Sequence, residues 1–177
     1  MSVDLTGVRA VVYRFSEDPT LRRFVPDHPT SNPSHPPAVW AVDAEHAPLY
    51  WFPRECPRVS VWANTPRHQA VLTETFATEA HRLVATETRW LPLIESTRLY
   101  RYTFDAADFE PWVQAEGQYI SRRTVQPVAV DAIDSLHALH AEAEVELRFT
   151  PRLGALTDRI IASGLPFNFV RIRDALR

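Results

Sequence analysis

Lysine is missing altogether from this 177-residue chain: all 19 basic residues are arginine. That excludes a lysine Schiff base, a pyridoxal-phosphate anchor and the lysine of a phosphate-binding P-loop. Glycine occurs only at Gly7, Gly117, Gly154 and Gly164, too far apart to build a G-x-G-x-x-G dinucleotide fingerprint. A single cysteine, Cys56, cannot close an internal disulfide, which suits a reducing, cytoplasmic setting. No apolar run approaches the roughly 20 residues that span a bilayer, and the start MSVDLTGVRA has no basic, then apolar, secretory pattern. A formal charge of −3 gives no general attraction to nucleic acid or to anionic membrane.

What is present describes a folded domain. Hydrophobic residues make up 45% of the chain and charged residues 23%, enough to bury a substantial core. The pattern predicts a single globular domain over 1–177. VRAVVYRFS (Val8 to Ser16) reads as a strand, SEDPTLRRF as a short helix, and Val25 to Pro37, with five prolines in thirteen residues, as a loop. AVWAVD, LYWF, RVSVWA and RLYRYTF read as strands, with prolines 53 and 57 bracketing a turn. Thr65 and Pro66 open a helix. Asp105 to Val113 suggests a short one, Val130 to Ala143 another, and Pro151 to Ser163 a last one closed by Gly164. Helices and strands alternate without regular βαβ spacing. The expected fold class is therefore α+β, with a bent, largely antiparallel mixed sheet and short packed helices.

Candidate chemistry gathers in three places. In LYWFPRECPR (Leu49 to Arg58), Arg54 and Arg58 flank Cys56. Cationic neighbours favour a thiolate, but a lone cysteine without a placed base reads first as a small buried residue. The arginines are the better candidates, as an anion clamp or as ion-pair partners of carboxylates such as Asp43 or Glu45. In WAVDAEH (Trp40 to His46), Glu45 and His46 are candidates for acid/base work, with a hydrogen-bonded structural role for His46 as the alternative; no metal motif occurs. His137 and His140 lie three apart on the helix expected there and read as part of an exposed polar face. Arg14, Trp40, Tyr50, Arg54 and Arg58 together form the candidate ligand-binding set, the arginines for an anion and the aromatics for stacking on a base. The six arginines between Arg148 and Arg177 read as an answer to the acidic stretch Asp131 to Glu146, with phosphate recognition as the alternative.

YRFSEDPTLRRFVP, VWAVDAEHAPLYWFPRECPRV and the ending FNFVRIRDA resemble a bacterial family of unknown function with the pattern H-F-S-E-D-P, V-W-A-x-D-x-x-H, Y-W-F-P-R-x-C-P-R. The family's histidine before Phe-Ser is Arg14 here. More loosely, the order of strand, short helix, loop and V-W-A strand is similar to ADP-ribosyltransferase-like domains. That resemblance implies Arg14 as an NAD-holding residue and one of Glu142, Glu144 and Glu146 as the activating carboxylate. Two functions are thus expected. The first is a soluble cytoplasmic, non-catalytic binding or scaffold domain with an arginine-rich site for a small anionic or nucleotide ligand. The alternative is an ADP-ribosyltransferase-like enzyme acting on NAD or another nucleotide.

Overall fold

The backbone of the computed structural model describes residues 10–29 and 34–176. Strands and helices divide between two sheets, giving the α+β class expected. The chain falls into two compact units, one of Met1–Ala47 with Tyr100–Ala132, the other of Pro48–Leu99 with Ile133–Arg177. No helix among the described residues is long and apolar enough to cross a membrane.

The first unit is built on a six-stranded sheet. Its strands are β1 (Val11–Ser16), β2 (Val39–Val42), β5 (Leu99–Asp105), β6 (Glu110–Pro111), β7 (Gln118–Ser121) and β8 (Ala129–Ile133), in the order β6-β7-β2-β1-β5-β8. β1 pairs antiparallel with β5 over six residues, from Val11↔Asp105 to Ser16↔Tyr100, and β2 pairs antiparallel with β7. Strand alternation sends Val39 and Ala41 to one face, where they join Val12, Phe24, Tyr102 and Phe104 in a buried core. Phe24 meets the rings of Tyr102 and Phe104 edge-on at 5.1 and 5.2 Å, a geometry aromatic quadrupoles favour.

The helix expected at SEDPTLRRF does not form. Asp18 Oδ1 instead accepts from the Thr20 amide and hydroxyl at 2.7 and 2.6 Å, a local turn that competes with helix. Tyr102 fixes the segment from above, donating to Asp18 O and accepting from the Leu21 amide. Asp105 to Val113 likewise yields only one 3-10 turn, Ala106–Asp108, capped by Asp105.

The second unit carries four strands in the order β10-β3-β4-β9: β3 (Arg58–Trp62), β4 (Arg82–Glu87), β9 (Glu146–Thr150) and β10 (Phe167–Val170). β3 pairs antiparallel with β10 and β4, while β4 and β9 run parallel. Every residue of β3 and β4 is buried, so these are central strands covered on both faces. Helices α1 (Pro66–Phe76), α2 (Leu91–Ser96), α3 (Leu136–Glu142) and α4 (Gly154–Ser163) complete the unit. Thr65 caps α1 through its hydroxyl, as the sequence suggests, and α4 ends at Gly164 with φ 69°, the left-handed closure that glycine permits. Leu72 and Phe76 of α1 and Ile160 of α4 pack on Val59, Val61 and Leu83.

LYWF is not a strand. Ala47–Tyr50 form a 3-10 turn, and the Trp51 amide returns to Pro48 O while the Cys56 amide returns to Pro53 O. The closely spaced prolines remove ladder donors and favour these turns. The start of Val130 to Ala143, as far as Ile133, belongs to β8, and helix begins only after Ser135, whose hydroxyl caps Ala138.

Candidate functional site

The sequence candidates fall into two groups. Arg14, Trp40, Glu45 and His46 belong to the first unit, and Tyr50, Arg54 and Arg58 to the second.

In the first group, the β1–β2 register sets Tyr13 opposite Val42, hence Arg14 opposite Ala41, on the core face. There its guanidinium lies 5.3 Å from the Phe24 ring centroid, and Nη1 donates to Trp40 O at 3.5 Å. The Trp40 indole leaves the opposite face, where it stacks on His35 at 5.4 Å and meets Trp112 edge-on at 5.2 Å. Arg14 and the Trp40 ring therefore do not address one ligand from one face of the sheet. His46 is buried while Glu45 beside it is exposed. Asp43 Oδ1 accepts from the His46 amide at 2.9 Å and lies 2.8 Å from Nδ1. Gly117, at φ 73°, covers the imidazole so closely that a Cβ there would fall 2.0 Å from Nδ1. Asp43 is thus committed to His46 and to the turn that follows β2, with its own amide donating to Gly117 O.

In the second group, the corner from 49 to 58 separates its two arginines. Arg54 is exposed, with Glu55 at 3.8 Å. Arg58 is 4% exposed, and its guanidinium donates from Nε to Leu49 O at 2.7 Å and from Nη1 to Cys56 O at 2.8 Å. It lies 5.6 Å from the Phe52 ring and 5.9 Å from the Tyr50 ring, where the π faces favour a cation. Burial weakens its hold on the proton to about 10, the Cys56 and Tyr50 side chains opposing that shift, so it remains cationic at neutral pH.

Cys56 is fully buried. Its Sγ lies 3.1 Å from Thr86 Oγ1, which itself donates to Pro57 O at 2.7 Å. The thiol also reaches Pro57 O at 3.7 Å, so Cys56 and Thr86 share that carbonyl and either can supply the proton between them. Burial pushes the Cys56 thiol up to about 11, outweighing the Thr86 hydrogen bond and the Arg58 charge that favour thiolate. A thiol held protonated in this way is a packing residue and a weak nucleophile.

Several polar residues that sequence reasoning passed over are buried in the second unit. The Glu87 carboxylate, fully buried, accepts from Arg89 Nε at 2.8 Å and from the Leu176 amide at 2.6 Å. Arg82, 1% exposed, donates to Ser60 Oγ and lies 4.5 Å from the Trp62 ring. His140 does not share an exposed face with His137. It lies inside α3 with Leu136, its Nδ1 2.7 Å from Leu136 O and its Nε2 3.2 Å from Pro48 O. The i, i+4 spacing of Leu136 and His140 was the available signal. Among the C-terminal arginines, Arg148 takes Glu146 of the acidic stretch at 2.9 Å, whereas Arg171 reaches Glu55 of the corner at 2.8 Å.

The sequence model of DUF6886, a family of unknown function, matches residues 13–175, which spans both units and every candidate above. The chain belongs to DUF6886. No curated protein and no solved structure matches it. The DUF6886 match covers the corner together with β10 and Arg171, so the residues that pack around Arg58 all fall within the family region.

Proposed function

We propose that this DUF6886 chain is a non-catalytic binding or scaffold domain whose proline corner positions arginines for a small anionic ligand. One observation carries the reading: the Arg58 guanidinium is buried on two backbone carbonyls and two aromatic rings, with no carboxylate at ion-pair distance among the described residues. Such a cation costs desolvation. A fold that retains it gains a fixed positive charge, while the neighbouring thiol is kept protonated and gives no nucleophile. His46, sealed by Asp43 and Gly117, is held in the same structural manner.

The test is to incubate the protein with NAD and follow nicotinamide release, alongside thermal-shift titration with nucleotides and simple anions. The expected outcome is stabilisation by anions with no nicotinamide released. Catalytic release of nicotinamide, lost in Arg14→Ala, would overturn this reading in favour of transfer chemistry.

A further inference from the structure

Arg58 carries five N–H donors, and two are used on Leu49 O and Cys56 O. The remaining three have no hydrogen-bond partner among the described residues, although the side chain is nearly wholly buried. A second arginine follows directly on the paired strand. β10 pairs Val170 with Arg58, so Arg171, next along, leaves the strand adjacent to that position in a left-handed conformation with φ 55°. Arg171 is itself mostly buried, and it grips Glu55 through both nitrogens, Nη1 to Oε2 at 2.8 Å and Nη2 to Oε1 at 2.9 Å. Arg171 and Glu55 both act on the Arg58 charge, the first weakening its hold on the proton and the second strengthening it.

The near-surface guanidinium of Arg171 thus holds Glu55, while the deep guanidinium of Arg58 has no carboxylate at ion-pair distance among the described residues. The Glu55 carboxylate belongs to a side chain more than half exposed, so it can return to water when another anion takes its place. The deep arginine has no such substitute. An incoming oxyanion would meet the planar fork of Arg171 and the unused donors of Arg58, the geometry in which arginine takes phosphate or carboxylate bidentately.

We propose that Arg58 and Arg171 form a binding site for a small oxyanion, a phosphate or carboxylate group, which Glu55 occupies as a displaceable internal stand-in. The proposal rests on the binding-domain reading above and names its ligand chemistry. Glu55 competes with the ligand, so affinity falls while it is in place and rises when its charge is removed.

The experiment titrates inorganic phosphate and, separately, acetate at constant ionic strength into the wild type, Glu55→Gln and Arg171→Gln, reading the melting temperature and the binding isotherm. Wild type is expected to be stabilised by at least one of the two anions, which also tells a phosphate site from a carboxylate site. Glu55→Gln is expected to bind that anion at least about fivefold more tightly, because the competing carboxylate is gone. Arg171→Gln is expected to lose the response. If Glu55 were only a structural tie, Glu55→Gln would melt lower and gain no affinity. That result, or no response to either anion in both wild type and Glu55→Gln, overturns the proposal. Neither result touches the non-catalytic reading, which fails separately if nicotinamide is released from NAD.

Discussion

In the first unit the interior is made of side chains such as Val12, Phe24, Val39 and Phe104, and the arginine–carboxylate pairs Arg101–Asp131, Arg122–Glu110 and Arg123–Asp108 are exposed. In the second, Arg58, Arg82, Glu87 and His140 are all under 5% exposed. Apart from Arg14 over Phe24, one unit pairs its arginines and carboxylates at the surface, where each pair is worth little. The other takes charge inside and satisfies much of it with backbone carbonyls, an amide and aromatic faces. The difference teaches where to look for function. Arg58 holds the corner through two carbonyls yet stays charged with no carboxylate at ion-pair distance among the described residues, and that uncompensated charge calls for a further explanation.

Substitutions can break the contrast, and the largest effect is expected where packing alone operates. Phe104→Ala removes a fully buried ring that touches Phe24 and Phe109. It should cost about 4 kcal/mol in urea denaturation, by lost transfer energy plus a cavity. Arg58→Ala should cost about 3 kcal/mol, because two buried carbonyls lose their donor and two rings lose a packed side chain, which outweighs the relief of the cation's desolvation. If Arg58→Ala instead proved neutral, the buried arginine would not be holding the corner.

A pH series sharpens the same contrast. Burial lowers the His140 proton affinity, against the opposing pull of the carbonyls of Leu136 and Pro48. The unfolded chain takes up a proton near pH 6.5 while the folded ring stays neutral, so the unfolded state binds more protons as pH falls. Stability should therefore drop below about pH 6.5 and continue dropping until the depressed folded value is reached. His140→Gln should flatten that slope between pH 7 and 5.5. The smallest effect is expected at Arg54→Ala. With its side chain exposed, it should leave stability within about 0.5 kcal/mol of wild type in the same denaturation series.

The sequence made the fold class and most strands legible, because β-branched and aromatic runs such as RLYRYTF carry their own signal. The Thr65 and Gly164 boundaries were readable for the same reason: a capping hydroxyl and a left-handed glycine act locally. LYWF was misread because its composition is strand-like, while the prolines at 48 and 53 set its backbone. SEDPTLRRF was misread because the Asp18 turn is fixed by Tyr102, 84 residues away. At the candidate site, the sequence put Arg54 and Arg58 on a par, and nothing local records that one is exposed and the other buried. The Arg171–Glu55 pair was not legible either, since β-pairing across 116 residues brings those side chains together and no local pattern records it.

The central claim is that the corner uses its cysteine for packing and its arginine as a fixed charge. Alkylation of Cys56 by iodoacetamide at pH 8, timed in the folded protein and in urea, tests it most directly. A thiol held at about 11 is ionised in only about one molecule in a thousand at that pH. The account predicts no labelling of the folded chain beyond the rate at which it unfolds, and full labelling in urea. Labelling of the folded protein at the rate of a free thiol would contradict it.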